Sequence, residues 1–188
     1  MQLTRRLQVF GIPCLMLAAV SFPAYASGKA HTHGQMELDV AVDGQQLSIQ
    51  IEAPLDSLLG FEHAPRNAKE RKAADELLQR MRNGAGLLQP SPAAQCTLVR
   101  QDVESAVLTA AAPAKAGAGA HAHEEEEHAD LDADYEFRCL QPAQLGQVEH
   151  GLFEAFSRLN RIEVRIAGAK GQSKQTLKRP AKMLKLLP

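Results

Sequence analysis

One stretch limits the possible folds more than any other. From Met36 to Ile51 apolar and polar residues alternate, and Asp43-Gly44 interrupts the pattern near its middle. Met36, Leu38, Val40 and Val42 share one face of an extended chain. Leu47, Ile49 and Ile51 share one face of the return. A period of two marks a strand that buries one side only, and Asp-Gly between two such runs marks a tight hairpin. The chain is therefore expected to hold an antiparallel sheet with one wet face and one covered face.

Cover for that sheet is expected from helices. Asn67 is a good N-cap, and Glu70 three residues later completes the pattern of a capping box. Ala74, Leu77, Leu78 and Met81 then lie on one helical face, and Asn83-Gly84 is a plausible stop. After Pro142 the spacing of Val148, Leu152, Phe156 and Leu159 predicts a second helix, with Gly146 and Gly151 as weak points. That reading places His150 on the solvent side. Further strands are expected at Cys96–Val99, running on towards Leu108, and at Ala133–Leu140. The same holds for Ile162–Ile166, Ser173–Leu177 and, as a last edge, Met183–Leu187. The predicted class is α+β, a mainly antiparallel sheet with two covering helices.

The first residues read as an export signal. Arg5 and Arg6 precede an apolar run, Val9 to Val20, that is too short to span a bilayer, and Ala24-Tyr25-Ala26 offers a cleavage site after Ala26. The competing reading is a buried N-terminal helix. Cys14 lies inside the apolar run behind Pro13, which argues against a lipid-anchored cysteine. The expected domains are thus a signal peptide, 1–26, and one domain, 27–188, of a periplasmic protein that does not span the membrane.

The whole chain has 21 basic and 22 acidic residues, and cleavage would remove two of the basic ones. This is not the clustered positive field of a nucleic-acid binder. Two cysteines would remain, Cys96 and Cys139. An even pair in an oxidising compartment favours a disulfide, and closing a loop of about 44 residues would be worth on the order of 4 kcal/mol. The alternative is a pair of buried, reduced thiols.

Between the middle strands the composition changes abruptly. Residues 110–120 are Ala, Gly, Pro and a single Lys, and residues 121–134 are almost entirely His, Ala and acid. Such a segment cannot bury enough apolar surface to offset chain ordering, so 110–134 is expected to be a disordered loop. Its chemistry is more specific than its structure. His121, His123, Glu124, Glu127 and His128 supply the imidazole nitrogen and carboxylate oxygen that zinc accepts in a four-coordinate shell. His121 and His123 project to the same side of an extended chain, and Glu124 and His128 are one helical turn apart. Repulsion among Glu124 to Glu127 and Asp130 would be relieved by a divalent cation, coupling capture to loop ordering. Without a nearby thiolate the affinity should be modest, near micromolar or about −8 kcal/mol. Ni2+ and Cu2+ suit the same donors. The bland reading is a solvated acidic linker.

A second candidate is His31 with His33, which face one way on an extended chain, joined by His63. Two imidazoles make a weak site, and the competing reading is ordinary surface histidines. His31 would be the fifth residue after cleavage, so it cannot form an amino-terminal copper site that needs histidine third. No phosphate loop, serine elbow or His-Glu-x-x-His pair is present, and tryptophan is absent. A catalytic role is therefore not expected.

These residues also carry a resemblance. The exported start, His31-Thr32-His33-Gly34, the hairpin through Asp43-Gly44, and the central His-acid loop resemble the ZrgA family of periplasmic zinc-uptake proteins. The most specific piece is Ser57-Leu58-Leu59-Gly60-Phe61-Glu62-His63-Ala64-Pro65. The resemblance covers nearly all of the chain after the signal. It implies zinc binding and cooperation with an inner-membrane zinc importer, and it gives weight to His31, His33 and His63. The expected function is a periplasmic zinc-binding protein that buffers or delivers the metal for uptake. The alternative is a non-metal interaction domain whose acidic loop is a solubilising tether.

Overall fold

The computed structural model describes residues 32–109 and 129–186. The signal segment, His31, and the loop residues His121, His123, Glu124, Glu127 and His128 lie outside the described residues.

The hairpin forms as its alternation requires. Strands β1 (Gln35–Asp43) and β2 (Gln46–Pro54) pair antiparallel with Asp43 opposite Gln46. The two-residue turn is therefore Gly44-Gln45, and Gly44 takes the positive φ of +54° that such a turn demands. One turn of helix, α1 (Leu55–Leu58), follows, and then α2 (Ala68–Met81). Asn67 Oδ1 accepts from the Glu70 N–H at 3.0 Å, and Glu70 Oε2 accepts from the Arg66 N–H at 2.7 Å. This is the expected capping exchange, with the glutamate reaching one residue further back. Gly84 is not a left-handed helix stop. It opens a further short helix, α3 (Gly84–Leu87), and its missing side chain makes room for Tyr135, whose ring carbon lies 2.5 Å from where a Cβ would stand.

Next come β3 (Leu88–Pro90), β4 (Cys96–Glu104) and the short α4 (Ala106–Thr109). The chain is described again from Ala129, and β5 spans Asp130–Cys139. Residues 130–134, expected to be disordered, are therefore strand. Their alternation of acid with Leu131 and Ala133 puts an apolar side chain inward at every second position, and both are buried. Beyond them lie β6 (Gln147–His150), α5 (Leu152–Ala155), β7 (Arg161–Gly168), β8 (Gly171–Lys178) and β9 (Met183–Lys185).

The predicted second helix does not form. Its first residues are β6, held between β3 on one side and β9 on the other, and only one helical turn, α5, follows. Val148 and His150 point inward by strand alternation, and Leu152, Phe156 and Leu159 reach the same core from α5 and the loop after it. Ladder partners far away in sequence outweighed a local pattern weakened by Gly146 and Gly151. His150 is consequently buried, at 3% exposure, rather than solvent-facing.

Two sheets result. The larger runs β4-β5-β2-β1-β7-β8, antiparallel except where β1 pairs with β7; the smaller runs β3-β6-β9. The class is α+β, and among the described residues one helix, α2, is longer than two turns. One apolar cluster joins the inner face of the large sheet to Leu77 and Met81 of α2, to Leu88, Val148 and Leu184 of the small sheet, and to Phe153 and Phe156. Tyr135 pins α2 down by donating its hydroxyl to the Met81 carbonyl at 2.6 Å. Among the described residues no helix is long and apolar enough to cross a membrane.

The outer face of the large sheet is charged. Register places Glu104, Asp132, Glu52, Glu37 and Glu163 in one row across β4, β5, β2, β1 and β7. Arg165 ties Asp39 and Glu37 together at the centre, and Arg161 pairs with Glu163. Burial, and next the negative charges of Glu52, Asp130, Asp134 and Glu104, push the Asp132 carboxyl above its ordinary value.

Candidate metal centre

The described histidines of interest lie at one end of the large sheet, where β1 and β7 begin, β2 ends and β5 begins. Four backbone segments are stitched together there. The Leu55 N–H donates to the Ala129 carbonyl at 2.8 Å, and the Asn160 N–H donates to the Gly34 carbonyl at 2.8 Å. The Gly34 N–H donates to Ser57 Oγ at 2.9 Å, and Ser57 is fully buried. Gly34 itself has φ +74° and a close approach to Asn160, so a side chain there would be both strained and crowded.

His33 stands on this frame. Its Nδ1 lies 2.5 Å from Asp56 Oδ2, the second residue of α1. The hydrogen bond and charge of Asp56, with a smaller contribution from Glu62, raise the His33 pKa above its usual value. The carboxylate side chain is 25% exposed and the imidazole 74% exposed, so the anchor is largely covered and the ring faces water.

His63 is held differently. Gly60 takes φ +86°, and a Cβ there would sit 2.4 Å from the Arg158 guanidinium carbon. The guanidinium is the movable end of a flexible side chain, so it is the positive φ that favours glycine and gives the physical reason for Gly60 in the Leu-Gly-Phe-Glu-His-Ala-Pro stretch. The turn that follows stacks the Phe61 and His63 rings, with centroids 5.0 Å apart. His63 Nδ1 lies 3.0 Å from the Ala64 carbonyl oxygen and 4.0 Å from Glu70 Oε2. Glu70 is held below its usual pKa chiefly by the Arg66 backbone N–H.

Among the described residues no group of three or more His, Cys, Asp or Glu is arranged to hold a metal ion. His33 and His63 each have an acidic neighbour, Asp56 and Glu70 respectively, but the described residues do not close a coordination shell. What the frame does bring together is the turn carrying His33, α1 and Ala129, and Ala129 directly follows His128 in the chain. Reasoning from sequence missed Asp56 and Ser57 as supporting groups, and named Glu70 as a helix cap without its place beside His63. An Asp-Ser pair opening a one-turn helix carries no motif, and only strand order reveals its neighbour.

The cysteines are joined. Cys96 and Cys139 face each other across β4 and β5, and their sulfurs are bonded.

A scan of known families matches residues 30–186 to the model described as ZrgA family zinc uptake protein. No curated protein matches the chain.

Proposed function

We propose that this chain, which belongs to the ZrgA family of zinc uptake proteins, binds zinc in the periplasm and buffers or delivers it to an importer of the inner membrane. The ligands on this reading are His121, His123, Glu124, Glu127 and His128, assisted by His31, His33 and His63. Ni2+ and Cu2+ would compete for the same nitrogen and oxygen donors. The family is described by zinc uptake and not by a reaction, which agrees with a non-enzymatic role.

One observation carries the reading. The Ala129 carbonyl, one residue beyond His128, is bonded to the N–H of Leu55, and the next residue, Asp56, holds His33. Ala129, which follows the histidine-bearing loop in the sequence, and His33 thus belong to one end of the large sheet. Loops at strand ends are where scaffolds usually carry binding groups. A site of imidazoles and carboxylates without thiolate is exchangeable, as storage or hand-over requires, with an affinity near micromolar or about −8 kcal/mol.

Zinc titration of protein 27–188 by calorimetry, beside a variant lacking residues 120–128, tests this directly. Ala129 and β5 are kept because their backbone belongs to the sheet. The variant is expected to lose stoichiometry and affinity, and binding by the intact protein should weaken as pH falls through about 6.5, where imidazole protonates. Equal binding by both proteins would remove the loop from the site. No zinc binding by either would return the domain to the alternative reading, an exported interaction module with a solubilising loop.

A further inference from the structure

His33 and Asp56 form an exposed contact, and such pairs usually add little to stability. Three features make this one unusual. First, the partners are unequally covered: the imidazole is 74% exposed and the carboxylate 25%. A pair built to hold the fold would bury both groups, whereas a presented ligand needs a fixed base and a free tip. Second, both backbones are locked in register. His33 meets Asp56, and the next residues, Gly34 and Ser57, meet through a buried hydrogen bond at 2.9 Å. Gly34 is held in addition by the N–H groups of Asn160 and Arg161, and Leu55 by Ala129. Neither end of the contact is free to wander. Third, the contact uses Nδ1. An ionised carboxylate only accepts, so Nδ1 carries the proton and the neutral ring keeps its lone pair on Nε2. His63 repeats the choice, with Nδ1 set against the Ala64 carbonyl at 3.0 Å.

We infer that Asp56 is a positioning residue for zinc: its carboxylate holds the His33 ring in the tautomer and direction that offer Nε2 to the metal. This rests on the reading of His33 as a ligand. A carboxylate behind a metal-binding imidazole both orients the ring and makes it a better donor, and removing such a partner commonly costs about 10- to 100-fold in metal affinity. Asp56 itself need not touch the ion.

The test compares zinc affinity of the full exported chain with D56A, D56N, H33A and the double variant D56A/H33A. D56A should weaken zinc binding by about 10- to 100-fold. D56N, which keeps an oxygen acceptor without the charge, should recover part of that loss. The double variant should bind no more weakly than H33A, because Asp56 acts through His33. In metal-free protein above the imidazole titration range, nitrogen NMR should find His33 protonated on Nδ1 in the wild type and shifted towards Nε2 in D56A. A purely structural Asp56 would lower the melting temperature without changing that tautomer. Unchanged zinc affinity in D56A, with a clear loss in H33A, would overturn the role of Asp56 and leave the zinc reading standing. Unchanged affinity in H33A would instead remove His33 from the ligand set. Should D56A fail to fold, D56N and the wild-type tautomer still decide: an Nε2-protonated His33 in the wild type would overturn the proposal.

Discussion

The Cys96–Cys139 bond offers the most quantitative test of how this fold is held. The two residues are a cross-strand pair at the base of the β4–β5 hairpin, 43 positions apart. Replacing both with alanine releases a closed loop of about 44 residues in the unfolded chain, which chain entropy values at about 4 kcal/mol. The structure adds a reason to expect the full effect. β4 is an edge strand, and along its length only Val103 is buried. Few apolar contacts root it, and without the bond the long connection between β4 and β5 has to be closed by their pairing. Urea unfolding at neutral pH should show the variant destabilised by about 4 kcal/mol, with a melting temperature lower by roughly 8–16 °C for a domain of this size. Hydrogen exchange should show protection lost from residues 97–103 before β1 or β7. Reducing the wild type should reproduce both results. A loss below about 1 kcal/mol, with β4 exchange unchanged, would refute the reasoning and mean that packing alone secures the edge.

Two further outcomes concern buried or crowded charge. Burial holds the His150 pKa below its ordinary value, and neither ring nitrogen has a hydrogen-bond partner among the described residues. The unfolded chain therefore binds the proton more readily, so the proton-linked cost of His150 is absent above about pH 6.5 and grows below it, on top of the pH-independent cost of burying two unpaired ring nitrogens. H150L should flatten that part of the stability–pH curve in urea titrations, and an unchanged slope would show that the ring is solvated or paired. For Asp132 the sign is opposite: its pKa is raised by burial first and by the surrounding acids second, so the charged form is the disfavoured one. D132N should stabilise the domain at pH 7 by about 0.2–1 kcal/mol, the scale of a cross-strand like-charge contact. The gain should vanish in acid once Asp132 is protonated; a destabilised D132N at pH 7 would contradict it.

Legibility in the sequence followed the range of the forces involved. The hairpin and the start of α2 could be read because their determinants lie within a few residues: alternation about Gly44, and the exchange among Arg66, Asn67 and Glu70. β6 could not, because the partners that made it a strand, Leu88–Pro90 and Met183–Lys185, lie far off in the chain and are themselves only three residues long. His150 was misplaced by the same error, since a helical and an extended backbone send its side chain to opposite surroundings. The candidate site repeats the lesson in its own terms. Histidines and acids announce themselves by type, so His33, His63 and the loop cluster were visible as candidates. Asp56 and Ser57 were not, because what gives them a role is strand order: β1 beside both β2 and the parallel β7, and β5 beyond β2. At that end of the sheet the ladder runs out, and backbone groups that would otherwise lack partners are met by side chains, as Gly34 is by Ser57. The hydrogen bonds that close the sheet and the contact that fixes the His33 ring are therefore made by neighbouring residues of one turn. If His33 is a zinc ligand as proposed, disturbing α1 should disturb metal binding and sheet closure together, whereas replacing Asp56 alone should separate the two.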